Sequence, residues 1–214
     1  MIIAEVLVPA WAQSAGMTPW HPHHIGERYE LFTLIVLGES IAAATMAVRD
    51  AFDRRHNAGT LGTLAAGGLL MVFAMWWLYF ARPAHTLPAT THQSHRRRFT
   101  WAYGHYLIFA SATAEGAGLA AYAKLATRHP DRYPPAAGAA VTIPVAIFLI
   151  IVWSTHVRPH QRSGFVQLSF PVAAVAVLTA TYSPAPALVT GLLLTALVVV
   201  VTAPHRAGRA RERE

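Results

Sequence analysis

An all-α, polytopic bundle of membrane-spanning helices is the fold class the sequence predicts, and three features predict it. The 214-residue chain is 54% hydrophobic but only 13% charged, about half the roughly 25% charged content of a soluble domain. Its apolar residues come in long blocks: 61 to 81, "LGTLAAGGLLMVFAMWWLYFA", is 21 residues without a charge, enough to cross about 30 Å of hydrocarbon at 1.5 Å per residue. The blocks also lack the polar face that a helix on the surface of a soluble core would alternate with.

Taken in order, the elements begin with a partial helix over 1–12, "MIIAEVLVPAW" and onward. It has neither a basic n-region nor a small-residue cleavage site, so it reads as helix and not as a cleaved signal peptide. Six complete crossings follow, at about 27–48, 61–81, 99–123, 137–157, 165–181 and 185–203, the last two separated only by "YSPA". Pro144 and Pro171 fall inside two of them, where each removes a backbone donor and is expected to bend its helix. In lipid, the carbonyl so released needs a neighbouring helix or hydroxyl. The organisation is a single transmembrane domain over 1–204 and a basic tail over 205–214.

The loops set an orientation. One side carries Arg28, Arg82, Arg96, Arg97, Arg98, Arg158, Arg162, Arg206, Arg209, Arg211 and Arg213; the other carries Arg49, Arg54, Arg55, Lys124, Arg128 and Arg132. The positive-inside rule then puts the C-terminus and the stretch "HPHHIGER" in the cytoplasm of a multi-pass inner-membrane protein. Trp76, Trp77 and Tyr79 before the loop 82–98, and Trp101 and Tyr103 after it, suit an interfacial aromatic belt. The arginines of "HRRRFTW" in that loop suit anionic lipid head groups. A net charge of +7 does not indicate nucleic acid, because the basic residues sit in short loops and the tail and never form a stripe interleaved with aromatics.

With no cysteine and twelve histidines, disulfide and thiolate chemistry are excluded and imidazoles become the ligands to examine. Two carboxylates lie well inside spans, where a charge costs at least about 2.5–3.5 kcal/mol and needs an explanation. Glu39 is about 18 Å beyond Glu27 at helical rise, near mid-bilayer. Glu115 sits deep in the third span, "FTWAYGHYLIFASATAEGAGLAAY", together with His105, Ser111 and Thr113. Small neighbours of Glu39 (Gly38, Ala42, Ala43 and Ala44) would let another helix approach, and Gly104, Gly116 and Gly118 do the same for the third span. A polar site of Glu39, His105 and Glu115 is the expectation, serving as a proton path or cation site. The plainer reading makes Glu39 a hydrogen-bonded residue that fixes helix register and His105 an interfacial side chain reaching water.

Glu27 and Arg28 stand at the entrance of the first span. His21, His23, His24 and Glu27 offer nitrogen and oxygen ligands for a metal, but their spacing matches no zinc signature and "HExxH" is absent. No nucleophile elbow such as "GxSxG" and no phosphate-cradling loop is present. No catalytic residue and no cofactor is therefore assigned.

"HHIGERYELFTLIVLGESI", "FAMWWLYF" and "FTWAYGHYLIFA", in that order, resemble the bacterial low temperature requirement A family of polytopic inner-membrane proteins. The first motif is the most specific, joining His24, Glu27, Arg28, Gly38 and Glu39. The motif resemblance covers residues 20 to about 125, and it is to a C-terminal portion of longer members. Where the family pattern continues "WWLYF" with Asp, this chain has Ala81. The resemblance implies a membrane protein linked by name to growth in the cold and supplies no reaction. Three functions follow as expectations: proton- or cation-coupled transport centred on Glu39; a non-catalytic bundle that assembles with lipids, partners or further copies of itself; and a membrane-embedded metal-dependent enzyme.

Overall fold

The computed structural model describes Val8, Trp11 and residues 22–53, 58–81, 95–128, 135–159 and 163–211. The partial helix expected over 1–12 and the loop 82–94 lie largely outside these. Six long helices account for most of what is described: α1 (Pro22–Asp53), α2 (Ala58–Phe80), α3 (His95–Arg128), α4 (Pro135–Val152), α5 (Gly164–Thr179) and α6 (Pro186–Arg211). A π-helical turn, Trp153–Val157, continues α4, and a short 3-10 turn, Ala180–Tyr182, closes α5.

The protein is a polytopic helical membrane protein. Among the described residues, four helical stretches have the length and composition to cross a membrane: Leu61–Phe80, Pro135–Val157, Gly164–Tyr182 and Pro186–Ala203. Of the six crossings expected, the other two are α1 and α3, the helices that hold Glu39 and Glu115. They are the longest helices, at 32 and 34 residues, and they pack into the same bundle. Pro144 and Pro171 are accommodated within α4 and α5 and do not end them. The last helix runs on to Arg211, into the stretch read as a tail.

Neighbour relations close the bundle into a ring, α1–α2–α6–α5–α4–α3 and back to α1. The large side chains of the interior, among them Met71, Met75, Ile108, Phe148, Leu149, Phe170 and Leu194, are fully buried. Outside the ring, Leu69, Phe73, Leu107, Ile143, Val172, Val175, Leu192 and Val199 are exposed. An apolar outer surface of this kind suits helices that cross a bilayer, since lipid tails are as apolar as leucine.

Small residues bring the helices together, as expected where hydrocarbon supplies no force between them. A methyl at Gly67 would meet the backbone of Ala187 and Leu188 at 2.6 Å, so α2 and α6 touch main chain to main chain. Gly116 abuts Ser40 of α1, and Gly118 abuts the carbonyl of Ala140 in α4. That carbonyl is the one Pro144 deprives of its helical donor, and it is a glycine Cα that lies against it. Ser40 reinforces the α1–α3 seam by donating to Ala112 O at 3.0 Å. Thr142 and Thr181 join α4 to the 3-10 turn through their hydroxyls, 2.6 Å apart.

Candidate functional site

Among the described residues, ionisable side chains are buried inside the bundle at two centres. The first is Glu115, on the face of α3 that carries Ile108, Ala112 and Leu119, all buried. Its exposure is 0%, and neither carboxyl oxygen has a hydrogen-bond partner among the described residues. Ser111, one turn back and within helical reach, turns its proton to Ile108 O at 2.9 Å instead. On α6, Thr190 is likewise fully buried with an unpartnered hydroxyl. The large majority of buried side-chain polar atoms have a partner, so a carboxyl with none needs an explanation such as a proton, an ion or a functional role.

Tyr79 of α2, His105 of α3 and His156 of the π turn make the second centre. His105 has 0% exposure. Its Nδ1 lies 2.8 Å from Trp101 O and its Nε2 3.1 Å from the Tyr79 hydroxyl. A carbonyl only accepts, so the proton is on Nδ1; Nε2 is then the acceptor, and Tyr79 O–H donates to it. His156 Nδ1 lies 2.8 Å from Thr155 Oγ1. Thr155 donates its own proton to Ile151 O at 2.6 Å, so it receives one from His156 Nδ1. The ring centres of His105 and His156 are 5.2 Å apart, and Tyr79 is 6.0 Å from the first and 5.1 Å from the second. Tyr29, Trp101 and Phe109 wall in His105, with ring centres 4.8, 4.2 and 5.9 Å away.

Local sequence explains how the second centre is held. Gly104 lets the Thr155 methyl come within 2.7 Å of where a Cβ would be. The π turn, closed by Arg158 N donating to Trp153 O at 2.8 Å, fits one more residue than an α turn and leaves Thr155, His156 and Val157 all buried. Such turns inside α-helices recur at functional sites. Replacing Tyr79 by Phe removes the donor to His105 Nε2 and is expected to lower stability by about 1–2 kcal/mol, measurable by thermal unfolding in detergent.

The residues predicted from sequence are not brought into one site. His105 and Glu115 share α3 but are about 15 Å apart along its axis, with the buried Ile108 and Ala112 between them. Glu39 is exposed on the outer face of α1, as is Gly38, around which a built Cβ meets nothing within 4 Å. Ser40, the next residue, is the one that faces α3. At the entrance, His24 Nδ1 and Glu27 Oε2 are 3.4 Å apart, both side chains well exposed, and Arg28 is exposed beside them. The side chains of His21 and His23 lie outside the described residues. Among the described residues no three His, Cys, Asp or Glu side chains gather as metal ligands.

Tyr79 and Trp101, read as part of an interfacial belt, turn inward around His105 with exposures of 1% and 8%, whereas Trp76 and Trp77 stay exposed at 39% and 42%. Sequence reasoning missed the roles of Tyr79, Thr155 and His156. Their one available signal was His105 sitting between the aromatics of "WAYGHYLIF", which marks a ring-lined pocket but not the partners, 26 and 51 positions away in the chain.

A family model described as bacterial low temperature requirement A protein matches residues 1–203, well beyond the 20–125 covered by the motifs. Comparison with curated proteins gives no match, and comparison with solved structures gives none.

Proposed function

The chain belongs to the bacterial low temperature requirement A family, and from that premise we propose that it is a proton- or cation-coupled transport protein of the inner membrane whose ionisable site is Glu115. The observation that carries this reading is a fully buried carboxyl without a hydrogen-bond partner, in a bundle of membrane helices. Ionisable residues inside a membrane mark ion pathways by default, and a group with unfilled acceptor capacity is one that can take up and release a proton or a cation. Thr190 offers a second oxygen in the same interior. The distribution of arginines supports a cytoplasmic C-terminus, which puts His105 at the cytoplasmic end and Glu115 in the outer half.

Purified protein in liposomes with an internal pH dye provides the test. Glu115→Gln keeps the volume and removes the charge, and is expected to lower proton or cation flux by tenfold or more, while Glu39→Gln, on the outer face, leaves flux within about twofold. If Glu115→Gln moved protons and every tested cation as the wild type does, the reading would fall.

A second reading, a non-catalytic bundle that assembles with lipids or further copies of itself, is favoured by one observation: Glu39 points away from the bundle. A carboxyl facing hydrocarbon at depth is costly, so a partner outside the ring would stabilise it. On this reading Glu39→Gln changes oligomer size and both proteins are silent in flux assays.

A further inference from the structure

We propose that Tyr79, His105 and His156 form a binding site for a divalent first-row transition-metal ion, held by two imidazole Nε2 atoms and the Tyr79 oxygen. This site is separate from Glu115 and does not depend on a transport role.

Tautomers carry the argument first. Each histidine has its Nδ1 proton committed to an acceptor: Trp101 O for His105, and for His156 the Thr155 hydroxyl, itself anchored on Ile151 O. Both rings therefore keep their lone pair on Nε2. This is the second-shell pattern of metal-binding histidines, in which the far N–H is tied to a carbonyl or similar acceptor and the ring is fixed in orientation and tautomer.

Spacing carries it second. Two imidazoles bound through nitrogen to one tetrahedral ion at about 2.0–2.1 Å place their ring centres roughly 5 Å apart, and His105 and His156 are 5.2 Å apart. Two ligand atoms on such an ion are separated by about 3.3 Å; Tyr79 Oη and His105 Nε2 are 3.1 Å apart. An ion at the centre would replace the Tyr79 proton: the phenol O–H breaks, the proton leaves to solvent, and the phenolate oxygen binds the metal, with no change of oxidation state. Two nitrogens and one hard oxygen suit zinc, copper or iron and not magnesium or calcium.

The centre is also sheltered. His105 is fully buried, Tyr79 has 1% exposure and His156 5%, and the ligands come from three separate elements, so an ion there would tie α2, α3 and the end of α4 together.

Full-length protein, stripped of metal in detergent and titrated with Zn2+ and Cu2+, tests this. The expected result is one tightly held ion per chain and, for Cu2+, a visible phenolate-to-copper charge-transfer band with hyperfine coupling to two imidazole nitrogens in the wild type. The band should vanish in Tyr79→Phe. Affinity should fall at least about tenfold in His156→Gln, yet persist when His21, His23 and His24 are all replaced by Ala. No saturable binding, a copper signal without the phenolate band, or binding lost with the amino-terminal histidines would overturn the proposal. The wild-type spectrum decides the matter even if a variant fails to fold.

Discussion

Replacing Gly118 by Val is expected to destabilise the bundle by about 3 kcal/mol, the upper end of the cost of inserting side-chain volume into a packed core. A Cβ at this position would run into the Ala140 carbonyl, with Val141 N at 3.2 Å. Neither is the far end of a flexible side chain, so α3 and α4 must separate. Separation would also disturb the faces of α3 and α4 that hold Gly104 against Thr155 and His105 near His156. Gly38→Ala is the matched control: with nothing within 4 Å of its built Cβ, it is expected to be neutral or to gain up to about 1 kcal/mol of helix propensity. Thermal unfolding in detergent, followed by tryptophan fluorescence, reads both. Equal losses from the two substitutions would mean that the α3–α4 approach is not as close as described.

Glu115→Leu is expected to do the reverse and raise stability, by about 1–3 kcal/mol, the cost of keeping a buried acceptor unsatisfied. A leucine of similar length fills the same space and has no oxygens to pair. Stabilisation together with loss of flux would be the signature of a residue retained for function at a cost to the fold. A marked loss of stability would instead show that the carboxyl is engaged in the native bundle, and the assignment of Glu115 as an open ionisable site would have to be given up.

The helices were legible because length and apolar run are properties of a single stretch of chain. Which way each helix faces was not, and α1 shows why. Val36 and Leu37 are buried while Leu34, at 45%, and Ile35, at 66%, are exposed, so both sides of the helix are apolar. In water such a helix would betray its buried face by hydrophobicity; in lipid the outer face is as oily as the inner one and the signal disappears. Glu39 was accordingly placed on the right helix but without a direction, and the small residues beside it suggested a contact that Ser40, one position on, in fact makes. Glu115 was found by its charge alone, because a carboxyl in a run this apolar stands out whichever way it points. The Tyr79–His105–His156 centre was beyond reach for a different reason: its members come from three elements, and the π turn that leaves His156 buried has no local sequence signature.

If Glu115 is the site of a transport protein, its place partway along α3 has one more consequence. A proton arriving there from either side would have crossed only part of the bilayer, and hence only part of the membrane potential, which does about 2.3 kcal/mol of work on a unit charge per 100 mV. On the transport reading, occupancy of this one carboxyl would be set by voltage as well as by acidity, so an energised cell and a de-energised one would hold it in different states without any change in the surrounding pH.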